Sequence, residues 1–156
     1  MPNVPFMIAH GCYYAALGLW IGMMAMLAAG TRTAFDILPE KAMAGNLAGA
    51  WLSKYYRMGV VCAAVAAIGA TLRSVMAEQG LWQGPPSPQQ RIAAMRYGLI
   101  SLMILNHLYA GWVLDPEVKR LKSIPEAREA FQSLHRREVL LLALNLLCGL
   151  AVIFLS

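Results

Sequence analysis

The stretch "LISLMILNHLYAGW", residues 99–112, decides the fold, because an otherwise apolar run carries Asn106 and His107 side by side. What those two residues mean depends on the solvent around the run, and composition identifies that solvent. The 156 residues are 59% hydrophobic and only 13% charged. Their mean hydropathy of +0.54 lies well above that of a water-soluble domain of this size. Four apolar stretches, about 6–30, 58–77, 92–114 and 139–155, each approach the roughly 20 residues that an α-helix needs to cross about 30 Å of hydrocarbon. A soluble helical protein can own one such run, but four leave too little polar surface to face water. The sequence predicts an all-α, four-helix integral membrane bundle, a single transmembrane domain over 1–156 whose first partner is the lipid bilayer.

The formal charge of +5 does not point to nucleic acid, because the basic residues are divided among the connections between spans. Connection one holds Arg32, Lys41, Lys54 and Arg57, and connection three holds Lys119, Arg120, Lys122, Arg128, Arg136 and Arg137. Only Arg73, Arg91 and Arg96 fall near connection two, and both tails have none. The positive-inside rule then places connections one and three in the cytoplasm and both termini outside it. The N-terminus "MPNVPFMIAH" lacks the basic region of a cleaved signal peptide, so the first segment is expected to stay as a helix. Cys12, Cys62 and Cys148 fall one per apolar stretch without a CxxC pair, which suggests packing rather than a disulfide or a metal site.

Pro39 stands where a helix can start, and nothing breaks the helical pattern from there to about Gln79. Span two is therefore expected to begin with an amphipathic cytoplasmic extension carrying Met43, Leu47, Trp51 and Tyr55 at i+4 spacing, either on the membrane surface or on the bundle. Connection two, "GLWQGPPSPQQ", is the clearest break, with Ser87-Pro88 suited to start the next helix. Asp115-Pro116 repeats that device, as does Ser123 to Pro125, which predicts a short surface helix and then a helix from about 125 into span four. Gly11, Ala15, Gly18, Gly22, Ala25 and Ala29 share one face of span one, with Trp20 opposite; Gly59, Ala63, Ala66 and Ala70 form a similar stripe in span two. Small stripes let helix backbones approach closely in lipid. The favoured expectation is packing between spans one and two; a homo-oligomer or complex face at Gly18 and Gly22 is the alternative.

The polar residues of the spans agree in depth. Arg96, Met103 and His107 share a face of span three, and His135, Glu138, Leu142, Asn145 and Gly149 lie within about 80° on span four. Asn145, Asn106 and His107 all sit roughly 10 to 12 Å from the inner edge. The cluster Arg96, Asn106, His107, His135, Glu138 and Asn145 reads first as polar packing, with Asn106 and His107 bonding across to span four, and otherwise as a proton or ligand pathway. His10, His107 and His135 are the candidates for a cofactor site, but His10 lies near the outer surface, at a different depth from the other two. The thioethers of Met23, Met24 and Met26 would suit Cu(I), but they are at the far end of span one from His10. No cofactor or metal is expected from these patterns.

"LPEKAMAGNLAGAWLSKYYRMG" and "AREAFQSLHRREVLLLALNLLCGL" resemble bacterial members of the transmembrane-protein-205-like family, four-helix membrane proteins of unknown biochemical function. The most specific parts are Leu38-Pro39, Ala44-Gly45, Tyr55-Tyr56-Arg57, Leu134-His135-Arg136, Asn145 and Gly149. Arg137 and Glu138 depart from that family's usual Leu-His-Arg-hydroxyl run. This resemblance implies a multi-pass protein of the bacterial inner membrane and no reaction. "MIAHGCYYAALGLWIG" and "AMRYGLISLMILNHLYAGWVL" are more loosely similar to the four-helix protoporphyrinogen oxidases and to copper-resistance D-type membrane proteins. In the oxidases an early histidine and a third-span lysine serve haem and catalysis; here those positions are His10 and Arg96, and a guanidinium neither ligates iron nor exchanges protons readily. The functional expectation is thus a non-enzymatic structural or accessory subunit packed against a larger membrane assembly. A haem- or copper-linked protein or a small transporter is the competing class.

Overall fold

In lipid every backbone N–H and C=O must be satisfied within the segment, so apolar runs of this length fold as helices. The computed structural model describes residues 4–77 and 88–155, nearly all of them helical. Helix α1 (Val4–Ile37), α2 (Lys41–Ala77), α3 (Pro88–Tyr109), a π-helical turn (Ala110–Leu114), α4 (Asp115–Lys122), a 3-10 turn (Pro125–Ala127) and α5 (Arg128–Phe154) follow in order. Four helical rods are long and apolar enough to cross a membrane, α3 to α4 forming one of them, and they build an all-α four-helix bundle. Residues 80–87 of the Gly- and Pro-rich connection, including Ser87, lie outside the described residues.

Helices α1 and α2 form an antiparallel hairpin. Pro39 disfavours helical backbone at Leu38, which ends α1, and the chain restarts with Glu40 accepting from the Met43 and Ala44 amides. The two helices approach closely at both ends. A Cβ at Gly30 would lie 2.8 Å from Trp51 Cζ3, and one at Gly69 would lie 3.1 Å from the Ala9 carbonyl oxygen and 3.0 Å from Tyr13 Cβ. The amphipathic extension thus packs on α1 through Trp51 and is continuous with the rest of α2. Between those contacts, Tyr13, Leu17, Trp20 and Met24 of α1 fill the core against Ala63, Ala66 and Ala70 of α2.

The small-residue stripe of α1 is not that interface. Gly11, Gly18 and Gly22 are exposed, and a Cβ at any of them would meet nothing within 4 Å. The expectation that these glycines pack span one on span two is therefore corrected. The large residues of α1 enter the core, the small ones of α2 receive them, and the glycine face of α1 looks outward.

A second correction concerns Asp115-Pro116, where a break was expected. The rod continues from α3 into α4 because the turn at Ala110–Leu114 widens: the Asp115 amide bonds the Ala110 carbonyl, five residues back. Pro116 lacks an N–H and its ring needs room at the preceding turn, and the π turn supplies that room without ending the helix. The chain breaks only at Ser123 and Ile124, before the 3-10 turn leads into α5. Helix α4 is tied to the start of α2 by Lys119 Nζ donating to Ser53 Oγ at 2.6 Å and Lys122 Nζ donating to Asn46 Oδ1 at 2.7 Å.

Candidate functional site

Lipid tails are as apolar as leucine, so helices in a membrane gain most where polar groups bond between them. The buried bonds of this kind among the described residues gather around His107. Arg96, Ile100, Met103 and His107 form the buried face of α3, and His107 is only 1% exposed. Its ring lies against Gly59 of α2, in space that a Cβ at Gly59 would occupy. That close approach brings Nε2 to 2.9 Å from the Tyr56 carbonyl oxygen and Nδ1 to 3.3 Å from the Tyr55 hydroxyl. A carbonyl can only accept, so Nε2 carries the hydrogen and, in the neutral ring, Nδ1 accepts from Tyr55. The rings of Trp20, Tyr55 and Tyr56 enclose the imidazole at 5.3, 5.1 and 5.4 Å between centroids.

The cluster reaches α5 through the tyrosines. Tyr56 donates its hydroxyl to Glu138 Oε1 at 3.1 Å, and Glu138, 2% exposed, faces His135 Nδ1 with its other oxygen at 3.4 Å. The His135 side chain is 52% exposed, so this line of groups runs from the bundle surface inward. Asn145 Nδ2 donates to the Met103 carbonyl at 3.3 Å, and the Asn145 amide and Trp20 indole sit beside the Tyr55 hydroxyl. Near His107, the atoms Trp20 Nε1, Asn106 Nδ2 and Asn145 Oδ1 are buried with no hydrogen-bond partner among the described residues.

The predicted cluster is thus regrouped. His107, His135, Glu138 and Asn145 come together, but His107 bonds to α2 rather than to α5, and Asn145 bonds to backbone rather than to Asn106 or His107. The Asn106 amide nitrogen has no partner among the described residues. Arg96 shares the His107 face but lies eleven residues away, roughly 16 Å along the helix, with its guanidinium carbon 5.5 Å from the Tyr97 ring centre. His10 stacks on Phe6 and meets Tyr14 edge-on. Ten residues separate His10 from Trp20, which touches His107, so the two histidines differ in depth by roughly 15 Å. With both His107 nitrogens committed to α2, the three histidines do not fit one haem. No group of three His, Cys, Asp or Glu side chains is placed to hold a metal among the described residues.

Sequence reasoning missed Tyr55, Tyr56 and Trp20 as members of the site. It also placed Gly59 in a packing stripe without its partner. The signal for the tyrosines was present in the Tyr55-Tyr56-Arg57 motif, two residues before that glycine.

A cleft of about 440 Å³ opens beside the cluster between α2 and the α3–α4 rod. Tyr56, Val60, His107, Leu108 and Gly111 line its inner part; Ser53, Arg57, Trp112, Asp115 and Lys119 line its mouth.

The model of one protein family, described as a domain of unknown function (DUF4149), matches residues 15–127. That range holds Tyr55, Tyr56, Gly59 and His107, and ends before α5. No curated protein and no solved structure matches the chain.

Proposed function

Since the chain belongs to the DUF4149 family, a family of unknown function, and is an integral membrane protein by its four apolar helices, we propose that it is non-enzymatic and serves as a structural or accessory subunit of a larger membrane assembly. The observation that carries this reading is the commitment of the His107 ring. Both nitrogens are used on α2 across the Gly59 contact, which locks α3 to α2 in depth and rotation and leaves no free base on the imidazole. The outward glycine face of α1 is in keeping with a neighbouring membrane helix. The narrower kinship with transmembrane-protein-205-like proteins, and a place in the bacterial inner membrane with both termini outside the cytoplasm, belong to the same proposal and rest on the motifs and basic connections of the sequence.

Purification in a mild detergent tests it through the mass of the particle and its co-purifying chains. A particle larger than one chain and its micelle, reduced by Gly18→Leu or Gly22→Leu with folding intact, supports the subunit reading. A single-chain particle with a visible-region absorption band would overturn it. A second reading, a small transporter with a polar pathway at Asn106, His107 and Asn145, is favoured by the buried atoms of Asn106 and Asn145 that lack partners. It predicts substrate or proton flux in vesicles that Asn145→Leu abolishes at unchanged stability.

A further inference from the structure

The cleft between α2 and the α3–α4 rod has a polar mouth and an apolar interior, and its charges are unequal. Lys119 is held at the mouth by Asp115 Oδ2 at 2.5 Å and Ser53 Oγ at 2.6 Å. An ammonium has three donors, so one remains. Arg57, one helical turn from Ser53 on α2, is exposed and makes no ion pair among the described residues. Two cations against one carboxylate leave a single positive charge at the mouth. Further in, Val60 and Leu108 give apolar walls, and Trp112 on the π turn stands 70% exposed at the rim, as aromatic residues do at the membrane interface. The volume of about 440 Å³ falls in the ordinary range of ligand pockets, roughly 300 to 1,000 Å³.

We propose that this cleft binds one anionic phospholipid, its phosphodiester between Arg57 and Lys119 and an acyl chain along Val60, Leu108 and Trp112. The single excess charge matches the single charge of a phosphodiester, and the apolar depth selects an amphiphile over a soluble phosphate. The mouth also lies at the basic end of the bundle, where basic pockets between membrane helices meet lipid headgroups. The inference needs the chain to span a membrane but not to be an accessory subunit, so particle mass and lipid retention fail separately.

The test offers the delipidated full chain in detergent equal amounts of phosphatidylglycerol and phosphatidylcholine and reads retained lipid by native mass spectrometry. Wild type should retain one phosphatidylglycerol in preference. Arg57→Gln should reduce that preference about fivefold, the loss of one basic contact. Arg57→Lys should largely restore it, and Arg128→Gln, a basic residue outside the cleft, should leave it unchanged. Glycerol phosphate should not displace the lipid. Equal retention of the two lipids, equal effects of Arg57→Gln and Arg128→Gln, or displacement by glycerol phosphate or inorganic phosphate would each overturn the proposal.

Discussion

Replacing Gly59 by alanine puts a methyl group where the His107 imidazole lies, so the ring has to leave the face of α2. It then loses the Tyr56 carbonyl at 2.9 Å and the Tyr55 hydroxyl at 3.3 Å. Interhelical hydrogen bonds in membranes average about 0.6 kcal/mol and reach about 1.7. Overpacking a tight contact adds roughly 1 to 3 kcal/mol. Gly59→Ala should therefore destabilise the bundle by about 2 to 4 kcal/mol. In a His107→Ala background the same change meets open space, and alanine's better helix propensity turns the effect neutral or stabilising by up to about 1 kcal/mol. Equilibrium unfolding in mixed micelles of a mild detergent and dodecyl sulfate, followed by helical circular dichroism, gives all four corners of the cycle. A cost of Gly59→Ala that is the same in both backgrounds within about 0.5 kcal/mol would refute the close approach of His107 to α2 as its cause.

Asn145→Leu should destabilise by about 0.5 to 2 kcal/mol through loss of its bond to the Met103 carbonyl, whereas Asn106→Leu should be neutral or stabilising, since its amide nitrogen has no partner to lose; micelle unfolding compares them. Tyr56→Phe leaves Glu138 buried without its tyrosine donor and should cost about 1 to 3 kcal/mol in the same assay. Gly18→Leu, on the exposed face of α1, should leave unfolding unchanged and reduce particle mass in mild detergent; loss of folded protein instead would return that face to the bundle interior. A reporter active only in the cytoplasm should work near Lys122 and fail after Ser156, and the reverse would invert the orientation.

The four helices were legible in the sequence because lipid allows so few backbone solutions. Length and hydropathy sufficed for α1, for the core of α2, for α3 and for α5. The face of a stripe was legible too, but not the direction it looks. Gly11, Gly18 and Gly22 do share one side of α1, and in lipid a side of small residues can turn inward or outward, since neither choice exposes apolar surface to water. Helical arithmetic likewise gave the depth of His107 but not its neighbour. Adjacency of spans three and four suggested α5, whereas the ring enters α2 because Gly59 leaves it space there. The continuation past Asp115-Pro116 was illegible for a different reason: Pro stops a helix of regular pitch, and the widened turn that absorbs it carries no residue signature of its own.

That widened turn fixes the spelling of the chain as well as its course. A π turn is equivalent to one residue inserted into an α-helix, so it sets the rotational phase of everything after it. Deleting one residue between Ala110 and Leu114 would replace it with a regular turn of nearly the same net rotation, whereas regular pitch with all five residues kept would swing Asp115–Lys122 by about 100° around the rod axis. Lys119 would then turn away from Ser53 and Lys122 from Asn46, although every residue of those pairs remained. Point substitutions along this turn test packing, but a one-residue deletion tests whether the turn absorbs an extra residue and so keeps the phase. Relatives that have lost one residue here should keep the basic end of α4 tied to α2 through a regular turn.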